Sequence, residues 1–158
     1  MNKIPACVTQ IFKQNGCVLL ELQCSFGTLH SLILEPCEFV SNDKVIATFK
    51  ENEIIPFYST QHTLLSHLNI FEAQITDIQT SGFFTRLKLM PTTQNTLDST
   101  RSQDFIDNTK SQNITPIYAL FPSLAPIEIS HNQPCKWHIP SSHILLDKYM
   151  YRGRQWSF

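Results

Sequence analysis

Residues 2–22 and 69–89 align without a gap, NKIPACVTQIFKQNGCVLLEL over NIFEAQITDIQTSGFFTRLKL. Six of the 21 pairs are identical: Asn2/Asn69, Ala6/Ala73, Thr9/Thr76, Ile11/Ile78, Leu20/Leu87 and Leu22/Leu89. Ile4/Phe71 and Val8/Ile75 stay apolar. A second match sets VIATFKENEII (45–55) over CKWHIPSSHIL (135–145), at an offset of 90 residues instead of 67. The difference, 23 residues, is the length of the polar stretch 91–113, PTTQNTLDSTRSQDFIDNTKSQN. That stretch has too few apolar residues to pack and reads as an insertion into the second copy. An internal repeat of this kind has to be read before any short motif. The expected layout is a first copy over 1–57, a linker over 58–67, a second copy over 68–148 and a tail over 149–158.

Each copy reads as β. Leu20, Leu22 and Cys24 alternate with Glu21 and Gln23, the period of two that marks a half-buried strand. Leu87 and Leu89 repeat the pattern around Arg86 and Lys88. The dipeptides Asn15-Gly16 and Ser81-Gly82 fall between two such runs, so each copy opens with a hairpin. Phe26-Gly27-Thr28 offers the next turn and HSLIL (30–34) a third strand. Pro36 then breaks the run, and CEFVSND (37–43) is expected to make one short helical turn before KVIATF. About five short strands per copy, closed because open edges aggregate, give an all-β chain of two small OB-like antiparallel barrels.

Composition removes several function classes. The formal net charge of −1, without a run of one sign, lacks the basic stripe that drives nucleic-acid binding. No apolar run is long enough to span a bilayer, so membrane insertion is not expected. The opening MNKIPACVTQIFKQNG lacks the layout of a signal peptide, which gives a cytoplasmic expectation. Cys7, Cys17, Cys24, Cys37 and Cys135 are odd in number and form no CxxC pair, so they read as ordinary strand thiols. No Ser/His/Asp or Cys/His arrangement and no phosphate loop is legible, so an enzyme is not expected.

On these residues the chain resembles the TOBE/Mop family of molybdate- and tungstate-binding domains, in a free-standing tandem form. The family opens with an Asn-x-hydrophobic-x-small-x-Val strand, matched by Asn2, Ile4, Ala6 and Val8, and closes with Val-x-Ala-x-Phe/Ile-Lys, matched by Val45, Ala47, Phe49 and Lys50. The second copy offers Ser66, Asn69, Phe71, Ala73 and Ile75, then HIPSSHILL. The resemblance implies an oxyanion site built from Lys50, Ser66, His67, Asn69 and Asn2. A tetrahedral dianion carries only acceptor oxygens, so such a site needs converging N–H and O–H donors. The expected place is where the first strand of one copy meets the last strand of the other, with Lys50 facing Ser66 and Asn69. The family's Arg position falls on Met1 and Leu68, its Thr position near Leu34 and Pro122, and its second Lys on Pro140. Glu51 stands beside Lys50 and is expected to repel an anion. The implied partners are a small oxyanion, a second copy of the chain and a molybdate-transporter component. The alternative is an interaction module that has lost the ligand and docks on a transporter or regulator.

Other readings of the same residues stay open. Lys50 also reads as a solvated strand-end lysine. Asn2 and Asn69 also read as strand-start residues held by local hydrogen bonds. Cys135, His138 and His143 form a C-x2-H-x4-H string, but strand alternation sends Cys135 and His138 to opposite faces, so no metal is expected. Trp137, Phe83 and Phe84 suit a barrel core or an interface better than a base-stacking platform.

Overall fold

The computed structural model describes residues 1–58, 68–93, 114–123 and 129–149. In chain order these form β1 (Asn2–Gln14), β2 (Cys17–Cys24), β3 (Gly27–Leu34), β4 (Lys44–Phe49), a 3-10 turn (Glu51–Glu53) and β5 (Ile55–Phe57). There follow β6 (Ile70–Ser81), β7 (Phe84–Pro91), β8 (Ile117–Pro122), β9 (Pro134–His138), a second 3-10 turn (Ser141–His143) and β10 (Leu145–Lys148). They build two five-stranded sheets, ordered β10-β4-β1-β2-β3 and β5-β9-β6-β7-β8. The chain is all-β, with two small OB-like antiparallel barrels.

The two sheets exchange their fifth strands. β5 leaves the first half of the chain to pair with β9, and β10 leaves the second half to pair with β4. The registers correspond: Ile55 lies opposite His138 as Leu145 lies opposite Thr48, and both pairs keep the offset of 90 found in the sequence. Each barrel is therefore completed by the other.

Local chemistry explains much of the repeat. In both opening strands the ladder slips by one residue, between Val8 and Gln10 and between Ile75 and Asp77. The extra residue is a threonine each time, and its hydroxyl donates to the carbonyl across the bulge: Thr9 Oγ1 to Glu21 O at 3.1 Å, Thr76 Oγ1 to Lys88 O at 3.2 Å. A bulge leaves ladder groups unmatched, and a short hydroxyl can reach one of them. Next to each bulge a loop is pinned by a left-handed asparagine. Asn42 N–H donates to Val8 O at 2.8 Å and Asn132 N–H to Ile75 O at 2.7 Å.

Three local expectations shift. The stretch 37–43 makes no helical turn, because the Asp43 carboxylate accepts from Val40 N–H and the backbone doubles back to β1. Among the described residues, each half has a helical turn after its fourth strand instead. The second hairpin turns at Gly82-Phe83, not Ser81-Gly82, since Ser81 pairs with Phe84 and Gly82 holds the positive φ that the first turn position requires. The third-strand turn sits at Ser25-Phe26, one residue early, with Gly27 already paired to Cys24.

The interior is continuous across both barrels. Trp137, fully buried, lies 4.8 Å from Phe71, 5.6 Å from Phe26 and 6.3 Å from Phe49, ring centre to ring centre. Phe26 and Phe49 come from the first half, Phe71 and Trp137 from the second, so one aromatic cluster joins the two barrels. Phe83 and Phe84 are not core: they stand exposed at the tip of the second hairpin. Pro91 is buried as the last residue of β7, so the polar excursion begins after it. Residues 94–113, most of the expected linker and the end of the tail lie outside the described residues.

Candidate junction site

Each half opens with an asparagine that clamps the third strand of the other. Asn2 Nδ2 donates to Tyr118 O at 2.9 Å, and Tyr118 N–H donates to Asn2 Oδ1 at 2.8 Å. Asn69 Nδ2 donates to His30 O at 2.8 Å, and His30 N–H donates to Asn69 Oδ1 at 2.7 Å. A carboxamide has a donor and an acceptor side by side, so it can stand in for one residue of a neighbouring strand. Both asparagines are buried. The clamp takes up one donor and one acceptor position of each carboxamide. These are two equivalent junctions, and each also receives the other half's 3-10 turn: Glu51–Glu53 against β8, Ser141–His143 against β3.

The structure brings Lys50 beside Asn2, because Phe49 pairs with Asn2 at the end of β4. Asn69 lies at the other junction, paired to His30 and accepting from Ile139 N–H. Lys50 and Asn69 therefore do not share one junction, contrary to expectation. The Lys50 side chain is exposed, and among the described residues it makes no ion pair. Ser66 and His67 lie outside the described residues.

Glu51 does not stand free to repel an anion. Its carboxylate is gripped by Arg86 of β7, Nε to Oε2 at 2.7 Å and Nη2 to Oε1 at 2.8 Å, and the Met1 amino group donates to Oε1 at 3.0 Å. The hydrogen bonds from Arg86 outweigh burial, and with Met1 they push the carboxyl down to about 2. The same pairing raises the guanidinium's own pKa. The Arg86 guanidinium carbon also lies 4.2 Å from the centre of the Tyr118 ring. Tyr118 thus anchors both partners, Asn2 through its backbone and Arg86 through its ring face.

The second junction lacks this chemistry. By the repeat offsets, Arg86 corresponds to Leu19, Lys50 to Pro140 and Glu51 to Ser141. There His30 Nε2 lies 3.8 Å from Glu21 Oε2. One scaffold is built twice, and among the described residues the Arg86–Glu51 pairing stands at the first copy of the junction. Sequence reading passed over Arg86 as the polar member of an alternating strand. The signal available was that the repeat places Arg against Leu there.

Elsewhere the candidate residues resolve simply. Cys135 and Trp137 face the core, with His138 on the opposite face of β9. Burial raises the Cys135 thiol to about 11. Among the described residues no cluster of three His, Cys, Asp or Glu side chains could hold a metal ion, and no helix is long and apolar enough to cross a membrane.

No family model and no curated protein matches the sequence. Solved structures do match. A crystal structure of the cytoplasmic molybdate-binding protein ModG, with molybdate bound, superposes with a TM-score of 0.71 at 14% identity, covering 92% of this chain and 94% of that one. The fold is shared with ModG. Coverage of both chains means that the paired barrels are shared as a whole, not one barrel alone. At this identity the likeness to ModG establishes architecture, and the chemistry has to be argued from the junctions.

Proposed function

We propose that this chain binds a tetrahedral oxyanion, molybdate or tungstate, in the cytoplasm, for storage, buffering or sensing linked to molybdate transport. The observation that carries the reading is the first junction, where Arg86 already holds in a two-point grip an anionic group, Glu51, which directly follows the exposed Lys50 in the chain. Arg presents parallel N–H donors to two oxygens at once, the geometry that an oxyanion edge also offers. The shared fold with a molybdate-binding protein supports the same reading. In this proposal the residues 1–57 and 68–148 act as two repeats. Lys50 and Arg86 supply charge, the backbone near Asn2 supplies neutral donors, and Asn69 belongs to the second junction.

Calorimetric titration with molybdate, tungstate and sulfate tests it. A charged donor to a desolvated dianion contributes roughly 1.5–3 kcal/mol, so Lys50→Ala is expected to weaken binding about ten- to a hundredfold. Absence of binding at millimolar ligand would sink the proposal. The interaction module would then lead, a reading favoured by exposed Phe83 and Phe84 at the hairpin tip.

A further inference from the structure

We infer that Glu51 is a resident anion that occupies the oxyanion grip of Arg86, and that an incoming ligand binds by displacing it, which makes the junction selective for doubly charged anions. The inference rests on the oxyanion reading of this junction and adds what controls entry to it.

The grip is built for an anion and is within reach of water. Arg86 makes two short, parallel hydrogen bonds to the Glu51 carboxylate, and its side chain is still 38% exposed. Glu51 sits in a 3-10 turn of only three residues, directly after Lys50. Swinging the carboxylate away therefore uncovers the Arg86 guanidinium, with the exposed Lys50 one residue before Glu51 in the chain.

The pair is not needed to make a junction. The equivalent one carries Ser141 and Leu19 in these places and keeps the same asparagine clamp, Asn69 on His30. What Glu51 and Arg86 add to the first junction is charge.

Selectivity follows from the exchange. A tethered carboxylate competes at an effective concentration on the order of millimolar or higher, so a ligand needs an advantage over it. A monoanion replacing Glu51 swaps one negative charge for another and gains little. A dianion brings a second charge to Arg86 and Lys50, and the gain grows as water leaves. The apparent affinity is the intrinsic affinity reduced by the fraction of molecules with the grip open.

The test uses the full chain, titrated at constant ionic strength with molybdate and sulfate as dianions and perchlorate and nitrate as monoanions. Wild type is expected to bind molybdate and not perchlorate. Glu51→Gln is expected to bind molybdate about ten- to a hundredfold more tightly and to gain perchlorate binding. The double variant Glu51→Ser with Arg86→Leu, which carries the residues of the second junction, is expected to fold and bind neither. Molybdate binding that is unchanged or weaker in a folded Glu51→Gln overturns the resident-anion inference and leaves the oxyanion reading standing. Molybdate binding by the double variant at wild-type strength also overturns it. Binding by Glu51→Gln but not by wild type supports the inference and removes the proposed function. Silence in both removes both.

Discussion

Glu51 shows how far one side chain's environment can reverse its meaning. As a letter beside Lys50 it is a negative charge near an anion site. In the fold it is the partner of Arg86, with its carboxyl held down at about 2 instead of near 4.5. A depressed carboxyl adds stability that is fully present above its unfolded value and is lost as pH falls toward the folded one. Wild type is therefore expected to exceed Glu51→Gln by roughly 1–3 kcal/mol at pH 6. The gap should close between about pH 4.5 and 2, and urea melts of both proteins at pH 6 and 2.5 check this. A gap at pH 2.5 as large as that at pH 6 would mean the pairing is not its source. The asparagine clamps give a second residue-scale expectation. Asn2→Ala strands the Tyr118 N–H and carbonyl, a cost of about 2 kcal/mol. Asn69→Ala should cost about 1 kcal/mol more, because Asn69 also holds a left-handed φ of 57° that alanine tolerates poorly. Equal losses in chemical denaturation would show that the backbone conformation contributes nothing. The repeat had singled out both asparagines, but their partners lie 116 and 39 residues away, and no local pattern encodes them.

Elements were legible wherever one short-range rule dominates. Alternation located β2 and β7, and Asn15-Gly16 located the first turn, since both of its residues take positive φ. The second turn was misplaced by one residue because Ser81 resembles a turn former, whereas the backbone needs glycine at the first turn position. Gly82→Ala is accordingly expected to cost about 1 kcal/mol, with open space around the added methyl, so that φ strain alone is responsible. A melting temperature unchanged within error would refute that account. The helical turn was misplaced for a different reason. Residues 37–43 carry turn-forming letters, but their hydrogen bonds go to the bulged region of β1, a long-range contact that propensity does not see. Arg86 escaped notice for a related cause: an outward residue on a half-buried strand reads as solvated until the opposing half supplies Glu51.

At the scale of the whole molecule, the exchange of β5 and β10 decides what counts as a folding unit. The sequence shows two repeats, yet neither sheet is complete within one of them. A first fragment ending at residue 58 would keep β5 without β9 to pair with, and β4 would lose β10. It would also expose Phe26 and Phe49, which meet Phe71 and Trp137 across the boundary. A unit near 60 residues buries only about 60% of its unfolded surface, so there is little margin for such losses. Fragments 1–58 and 59–158, produced separately, are therefore expected to show no cooperative melt alone. Mixed in equal amounts they should form a one-to-one complex with a single transition, because every exchanged strand then finds its partner. Trp137→Ala in the second fragment should weaken that complex strongly, since truncating a fully buried tryptophan costs about 3–5 kcal/mol. Circular-dichroism melts and analytical ultracentrifugation of the three samples decide the matter. A cooperative transition in either isolated fragment would mean that each repeat carries a sufficient core of its own. The exchanged strands would then be a late embellishment of two independent barrels, and the junction chemistry would have to survive without them.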